Sequence, residues 1–389
     1  MEEECRSYMI IIGSSEYFST KVDAILNERQ ITYADNFAQM VQEHDDWRKR
    51  ISIEGLPQTE KREFDKTNFL IIRNSGYHSI VETAHDRLGA LIEDLTTDDA
   101  EVFIHNPTKL LEDYLLKQQV RNKIRLVFDR ETYSLSNNFN VFKEGLHTIS
   151  SAIVGQENAI NEVVRSLWYL SRVQRKKPFI VMLYGSSSIG KTETIRAVSK
   201  HLFGGKVFEK HLSMFQTVSS EYYLFGNQPN RTSIGFELLE RESNLVFFDE
   251  FDKLHNYFYP IFYTLFDNTL FQDATYRADI SGLVVFLTSN YRNEEEMQKH
   301  LGLPIFYRVD KFIRFDDFTA DAIYKVTDME ISHYAKENEE ELCAEVIYKR
   351  VSPKINANGE NARTIKNKVQ QEVEQILFEN AIMRSELDG

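Results

Sequence analysis

The chain is poor in cysteine, in proline and in long apolar runs, and each shortage removes a class of answers. Two cysteines in 389 residues, Cys5 and Cys343, cannot build a disulfide scaffold or a cysteine-based metal cluster. They fit a reducing, cytoplasmic setting. No apolar run approaches the length of a membrane span, and the acidic start Met1-Glu2-Glu3-Glu4-Cys5-Arg6 carries no signal-peptide pattern. Repeats and low-complexity tracts are absent. Net positive charge is missing too. The formal balance is −14, which divides into −8 over residues 1–140 (17 basic, 25 acidic) and −6 over the rest (29 basic, 35 acidic). Neither part has the basic footprint of a dedicated nucleic-acid binder. The local run Arg172, Arg175, Lys176 and Lys177 reads as the solvated end of a helix.

What remains is a globular composition long enough for two or three domains. Residues 1–140 alternate between apolar strands and helical patterns. Strands are expected at Tyr8–Ile12, Asn68–Ile72, Glu101–Ile104 and Lys123–Phe128, with helices near 18–29, 36–52, 78–95 and 108–119. The alternation suggests a mostly parallel sheet with helices on its faces. Gly13-Ser14-Ser15 follows a strand, where α/β folds often bind ligands, but a plain turn accounts for it. In His105-Asn106-Pro107, Asn106 as helix cap and Pro107 at the first helical position need no chemistry. His44-Asp45-Asp46 reads as exposed helix surface, as do the clusters Glu294–Glu296 and Glu339–Glu341. The polar stretch 132–150 is taken as a linker. A core over 141–315 and a helical region over 316–389, interrupted by a loop at Asn356–Gly359, complete the chain.

The informative stretch is Gly185-Ser186-Ser187-Ser188-Ile189-Gly190-Lys191-Thr192, which fits G-x-x-x-x-G-K-[ST] at every fixed position. The apolar run Pro178–Tyr184 before it reads as a buried strand, and Thr192–Phe203 after it as a helix. Strand, glycine-rich loop and helix are what the motif needs. Backbone N–H groups and the helix dipole would face phosphate oxygens. Lys191 would reach the β- and γ-phosphates of ATP, and the Thr192 hydroxyl would hold Mg²⁺.

Two further strands end in polar groups. Asn244–Phe248 leads into Asp249 and Glu250. Asp249 is expected to bind Mg²⁺ through water, and Glu250 to polarise the attacking water. Gly282–Ser289 ends at Asn290, which can contact the γ-phosphate or hold that water.

Together these residues resemble the AAA+ ATPases, within them the Clp/heat-shock unfoldase branch, and best the second ATPase module of ClpB-type chaperones. Ile153-Val154-Gly155-Gln156 resembles the segment that packs on adenine. Leu265 to Asp279 and Val284 to Asn290 follow the Clp stretch leading to sensor 1. Pro304–Asp310 resembles the segment with the arginine finger, which implies that role for Arg308. Ala362-Arg363-Thr364-Ile365-Lys366 resembles sensor 2, with Arg363 in the arginine position. The resemblance covers roughly residues 150–380 and leaves the first 140 outside. It implies an α/β fold: a P-loop AAA+ core, a small C-terminal helical domain and a separate N-terminal α/β domain. It also implies Mg-dependent ATP hydrolysis and a homo-oligomeric ring or partial ring, hexamers among them, with active sites shared between subunits.

One departure stands out. Clp unfoldases grip polypeptide with a Gly-Tyr-Val-Gly pore loop. The equivalent stretch here is Gly226–Ser233, with Arg231 in the tyrosine's place, and an arginine prefers carboxylates or phosphates. Tyr222, Tyr223 and Phe225 nearby read as core. Ile234-Gly235-Phe236 is similar to a peptidase-docking tripeptide but lies in a different part of the module. Three functions are therefore expected to compete. The first is a Clp-like ATPase remodelling a protein partner recognised through residues 1–140. The second is a nucleotide-switched assembly scaffold or sensor ATPase in a bacterial defence or regulatory complex. The third is a nucleic-acid remodeller, disfavoured by the acidic balance.

Overall fold

The computed structural model describes residues 5–48, 64–173, 175–217, 220–337 and 342–387. Two five-stranded parallel sheets organise them. The first contains β1 (Ser7–Ile12), β2 (Asp35–Asn36), β3 (Thr67–Ile72), β4 (Thr96–His105) and β5 (Arg125–Arg130), in the order β2-β3-β4-β1-β5. Alternate residues serve opposite faces, as strand geometry requires. Tyr8, Ile10, Leu70, Ile72, Val102 and Ile104 share one core cluster, while Ile11 and Phe103 share another with Phe18 and Val22. Phe18 and Val22 belong to helix α1 (Ser15–Glu28); the first cluster takes residues from α2 (Phe37–Arg48), α3 (Leu88–Leu95) and α4 (Lys109–Val120). Helices thus cover both faces.

The second sheet contains β6 (Phe179–Tyr184), β7 (Phe208–His211), β8 (Leu245–Asp249), β11 (Val284–Ser289) and β12 (Lys311–Arg314), ordered β12-β6-β11-β8-β7. An antiparallel hairpin, β9 (Leu270–Gln272) and β10 (Arg277–Asp279), stands beside it. Leu245 to Phe248 and Val284 to Ser289 are buried without a break, the pattern of strands covered on both sides. One face packs on α5 (Phe139–Ala152), α6 (Glu157–Arg172) and α7 (Lys191–Leu202). The other packs on α8 (Ser220–Phe225), α9 (Ile234–Leu239), α10 (Tyr259–Asp267) and α11 (Glu294–Phe306). Three more helices, α12 (Ala320–Glu337), α13 (Ala344–Val351) and α14 (Ala362–Leu387), close the chain against the first face. The fold is α/β, with parallel sheets flanked by helices and a helical C-terminal region. Among the described residues no helix is long and apolar enough to cross a membrane.

Several expectations change. The stretch read as a linker is extended only to Asn138, whose side chain caps α5; its polar residues start a helix that buries Phe142 and Ile149. The helix expected over 78–95 is two 3₁₀ turns, Asn74–Ser79 and Glu82–Arg87, followed by α3; extended backbone at Ile80 and Val81 separates the turns. The cap of α4 is Thr108, which accepts from the Leu111 N–H at 3.4 Å, so Asn106 is free for another task. His44 is buried, stacked on Trp47 and edge-on to Phe64, whereas Asp45 and Asp46 are exposed. Tyr222 is 38% exposed rather than core, and Ile234 is buried at the start of α9, where no partner could dock on it. Residues 49–52 of the expected second helix, and Glu339–Glu341, lie outside the described residues.

Asp273, in the turn of the β9–β10 hairpin, joins the two ends of the Gly226–Ser233 segment. Its buried carboxylate accepts from the Ser233 hydroxyl (2.6 Å) and from the N–H groups of Gly235 (3.1 Å), Thr275 (2.8 Å) and Tyr276 (2.6 Å). Burial raises its pKa, and these donors pull the other way. Thr275 Oγ1 in turn donates to the Gly226 carbonyl at 2.6 Å. Removing the carboxylate strands several buried donors at once. We expect Asp273→Ala to lose about 3 kcal/mol of unfolding free energy in urea titrations. A loss below about 1 kcal/mol would show that the anchor is dispensable.

Candidate functional site

The glycine-rich loop leaves β6 at Tyr184 and enters α7 at Lys191. Gly185 (φ +138°) and Gly190 (φ +103°) adopt backbone that side chains resist. A Cβ on Gly185 would stand 2.3 Å from the Phe315 carbonyl oxygen. The loop therefore wraps closely and delivers Lys191 to its own centre. The ammonium donates to the carbonyls of Gly185 (2.8 Å) and Ser186 (2.6 Å) and to Asn290 Oδ1 (3.2 Å). Lys191 is 6% exposed, and burial lowers its pKa to about 8 against the opposing pull of Asp252 and Asp249. Three neutral oxygens solvate this cation; a phosphate oxygen would offer it a full counter-charge. Ile189 is buried in the core and fixes the loop from below, while Ser187 and Ser188 lie at its rim, Ser188 at φ +60°.

Asp249 lies beside this loop because β8 pairs with β11, and β11 with β6. Thr192 Oγ1 donates to its carboxylate at 3.2 Å. Thr288 Oγ1, from β11, also donates to Asp249 and accepts the Glu250 N–H at 2.9 Å. His211 Nδ1 of β7 stands 3.3 Å from the second carboxylate oxygen. Glu250 turns out of the strand at φ +57°, a left-handed conformation that its Thr288 bond helps to hold. Asn290, one residue past β11, faces Lys191. Sequence reasoning passed over Thr288 and His211 as site residues. Their signal is lateral strand register, which no local motif carries.

A hydroxyl and a carboxylate make a hard-oxygen pair suited to Mg²⁺. Among the described residues no group of three or more His, Cys, Asp or Glu could hold a metal by itself. The donor set therefore fits Mg²⁺ brought and completed by nucleotide phosphates, with Thr192 and Asp249 as the protein's share.

The remaining expected residues divide. Val154 is half-buried in the core cluster that also holds Phe318, Ala322 and Ile323. Gln156 fixes its segment by a reciprocal amide clasp with Asp316: Nε2 donates to the Asp316 carbonyl (2.8 Å) and Oε1 accepts the Asp316 N–H (3.2 Å). Arg363 is exposed at the start of α14, where the Ala362 N–H donates to the Ser188 carbonyl at 3.0 Å, so the last helix touches the phosphate loop directly. Arg308 is not gathered with these groups. It donates from Nε to Asp267 (2.6 Å) and lies over the Tyr263 ring (4.6 Å to the guanidinium carbon). Arg231 is exposed over Tyr222 at 5.5 Å.

Residues 181–293 match the family described as AAA, the ATPase family associated with various cellular activities. That span holds the phosphate loop, Asp249, Glu250 and Asn290. Similar curated proteins include the AAA+ ATPase ClpV1 of Pseudomonas aeruginosa, 28% identical over 38% of this chain and 18% of that protein. The chaperone protein ClpB of Chlamydia caviae is 24% identical over 71% of this chain and 35% of its own length. The human mitochondrial disaggregase is 27% identical over 50% and 28%, respectively. The chain thus spans well under two thirds of each of these relatives. The segment around the phosphate loop therefore matches the AAA family and is similar to the ATPase modules of Clp-type proteins.

Two substitutions test this geometry. Lys191→Ala should abolish binding of a fluorescent ATP analogue; undiminished affinity would contradict the loop's assignment. Thr288→Val keeps the shape and removes the hydroxyl bridging Asp249 and Glu250. It should slow ATP turnover about tenfold while leaving nucleotide affinity nearly unchanged. Turnover equal to the wild type's would remove Thr288 from the site.

Proposed function

We propose that the protein is an ATP-hydrolysing, Clp-like AAA+ machine that works as a cytoplasmic homo-oligomer and remodels a specific protein partner through its N-terminal unit. In this reading residues 1–140 recognise the partner, 141–315 form the ATPase core and 316–389 the helical lid. The observation that carries it is the bonded array in which Lys191 meets Asn290 while Thr192 and Thr288 meet on Asp249. Each member is bonded before any ligand arrives, and such preorganisation is what electrostatic catalysis needs. Lys191 would exchange the loop carbonyls for β- and γ-phosphate oxygens. Bound Mg²⁺ would neutralise charge on those oxygens. Glu250 would take hold of the attacking water, and Asn290 would orient the water or the γ-phosphate. Val154 would line the adenine side, and Arg363 would report the γ-phosphate to the lid through the helix whose first N–H already rests on Ser188.

Arg308 supports an oligomeric site. It is held at the end of α11 by Asp267 and Tyr263, away from its own loop, and suits a finger offered to a neighbour. The second reading is the nucleotide-switched scaffold or sensor. Arg231 supports it, because an exposed guanidinium on Tyr222 is not a general grip for apolar polypeptide. A net charge of −14 weighs against the nucleic-acid remodeller.

Mixing subunits tests the shared site. Arg308→Ala alone should lose about 10³-fold or more in turnover. Adding Glu250→Gln subunits, themselves inactive, should restore part of it, since each mutant supplies what the other lacks. No recovery, with oligomers visible by electron microscopy, would exclude a finger acting in trans.

A further inference from the structure

The N-terminal sheet has its own crevice. The chain leaves β1 towards β2, across β4 and β3, and leaves β4 towards β5, across β1. Neighbouring strands whose connections part in opposite directions open a gap at their carboxyl ends, where α/β folds receive ligands. Three chain turns meet there: Gly13–Ser15 between β1 and α1, Asn74 after β3, and His105–Asn106 at the end of β4. A carboxylate fills the gap, and it comes from the ATPase module. Glu240, which follows α9, accepts from the Ser15 N–H (3.1 Å) and the Ser15 hydroxyl (2.7 Å) on Oε2. On Oε1 it accepts from Asn106 Nδ2 (2.7 Å) and Asn74 Nδ2, with His105 Nε2 at 3.1 Å.

Two of these donors, Asn106 and His105, are held by contacts within their own unit. Asn106 is fully buried with φ +43°; its Oδ1 accepts the Gly13 N–H (3.1 Å) and its Nδ2 donates to the Gly13 carbonyl (2.8 Å). His105 is 1% exposed and stacked on Phe18 at 4.5 Å. Burial lowers its pKa, outweighing Glu240, so the ring is neutral at pH 7. Its Nε2 faces the Gly13 carbonyl at 2.9 Å and Glu240, with Asn106 Nδ2 also at 3.1 Å; since the two Asn106 amide protons go to Gly13 and Glu240, the tautomer with its proton on Nε2 is the one that satisfies the cluster. The Ser14 N–H is tied to Glu131 at 2.8 Å. Asn106 and His105, positioned on Gly13 by bonds that do not involve Glu240, form with the Ser15 N–H at the start of α1 a receptor for a carboxylate.

We propose that the crevice between β1 and β4 is a carboxylate-binding site, filled in cis by Glu240 as a releasable latch, and open to a small carboxylate when Glu240 leaves. Other contacts keep the two units together when the latch opens. The Lys109 N–H donates to the Thr275 carbonyl at 2.8 Å, and Arg277 pairs with Glu112 (3.0 Å) and Asp113 (3.2 Å). The latch therefore governs α9, and through Ser233 and Gly235 on Asp273 it governs the Gly226–Ser233 segment. Occupancy of the crevice is thus coupled to the segment that stands where Clp proteins carry their pore loop.

Chemical rescue by formate tests the site without nucleotide, so the outcome is independent of the ATPase reading. Hydrogen exchange is followed in full-length protein at Ser15 and across residues 226–240. Glu240→Ala should exchange about tenfold faster at both places than the wild type. Formate at tens of millimolar should slow the alanine variant again, while chloride at equal ionic strength should not. The wild type, its site already filled, should not respond. Glu240→Gln fills the same volume and presents an amide N–H₂ to donors, so it should exchange fast and resist rescue. Rescue absent in folded Glu240→Ala, or exchange unchanged by that substitution, overturns the proposal. Should the alanine variant fail to fold, Glu240→Asp carries the test: its carboxylate is withdrawn by one methylene, and an exchange rate equal to the wild type's overturns the latch.

Discussion

Burial of a parallel sheet on both faces leaves polar side chains one exit, the carboxyl-terminal edge. Everything chemical in this molecule gathers at such edges. In the second sheet β6 and β11 are neighbours whose connections part, towards β7 on one side and β12 on the other. Lys191 follows the first and Asn290 the second, and the two side chains meet at 3.2 Å. In the first sheet the same relation between β1 and β4 brings Ser15 and Asn106 to one carboxylate. One topological rule, applied twice in one chain, positions a phosphate loop and a carboxylate receptor.

The phosphate loop was legible because its information is local. Gly185, Gly190, Lys191 and Thr192 lie within one turn and one helix start, and the apolar run before them admits little but a buried strand. Asp249 and Asn290 were legible for a related reason: an unbroken apolar strand that ends in a polar residue has few ways to place it. Thr288 and His211 were not, since both reach Asp249 sideways across strand pairs. Asn106 was misread because Thr108 offers the same capping chemistry two residues later, and a positive φ leaves no trace in composition. The linker was misread for the opposite reason. Asn138 is the kind of residue that breaks structure and also the kind that starts a helix, and only the burial of Phe142 and Ile149 decides between them.

Many of the contacts that join the N-terminal unit to the ATPase module are polar, and of a particular kind. Glu240 is held by neutral donors, Arg277 by two carboxylates, and the Arg241 carbonyl by the Tyr133 hydroxyl. Most of these groups are partly exposed, so no single contact carries the large desolvation cost of a buried ion pair. These polar bonds set the orientation of the two units, and a small apolar seam adds to them: Ile12 packs against both cores, and His78 lies against the Phe236 ring at 5.0 Å.

The Gly226–Ser233 segment is tied at both ends and nowhere else to Asp273 and its turn. Gly226 and Ser233 are buried, whereas Asn227, Asn230, Arg231 and Thr232 between them are exposed. Anchor and tip are therefore separable in design. The tip works as a cassette: its residues can be exchanged without touching the bonds that hold the fold. A lineage, or an engineer, could rewrite what the segment touches while the ATPase beneath it stays as it is.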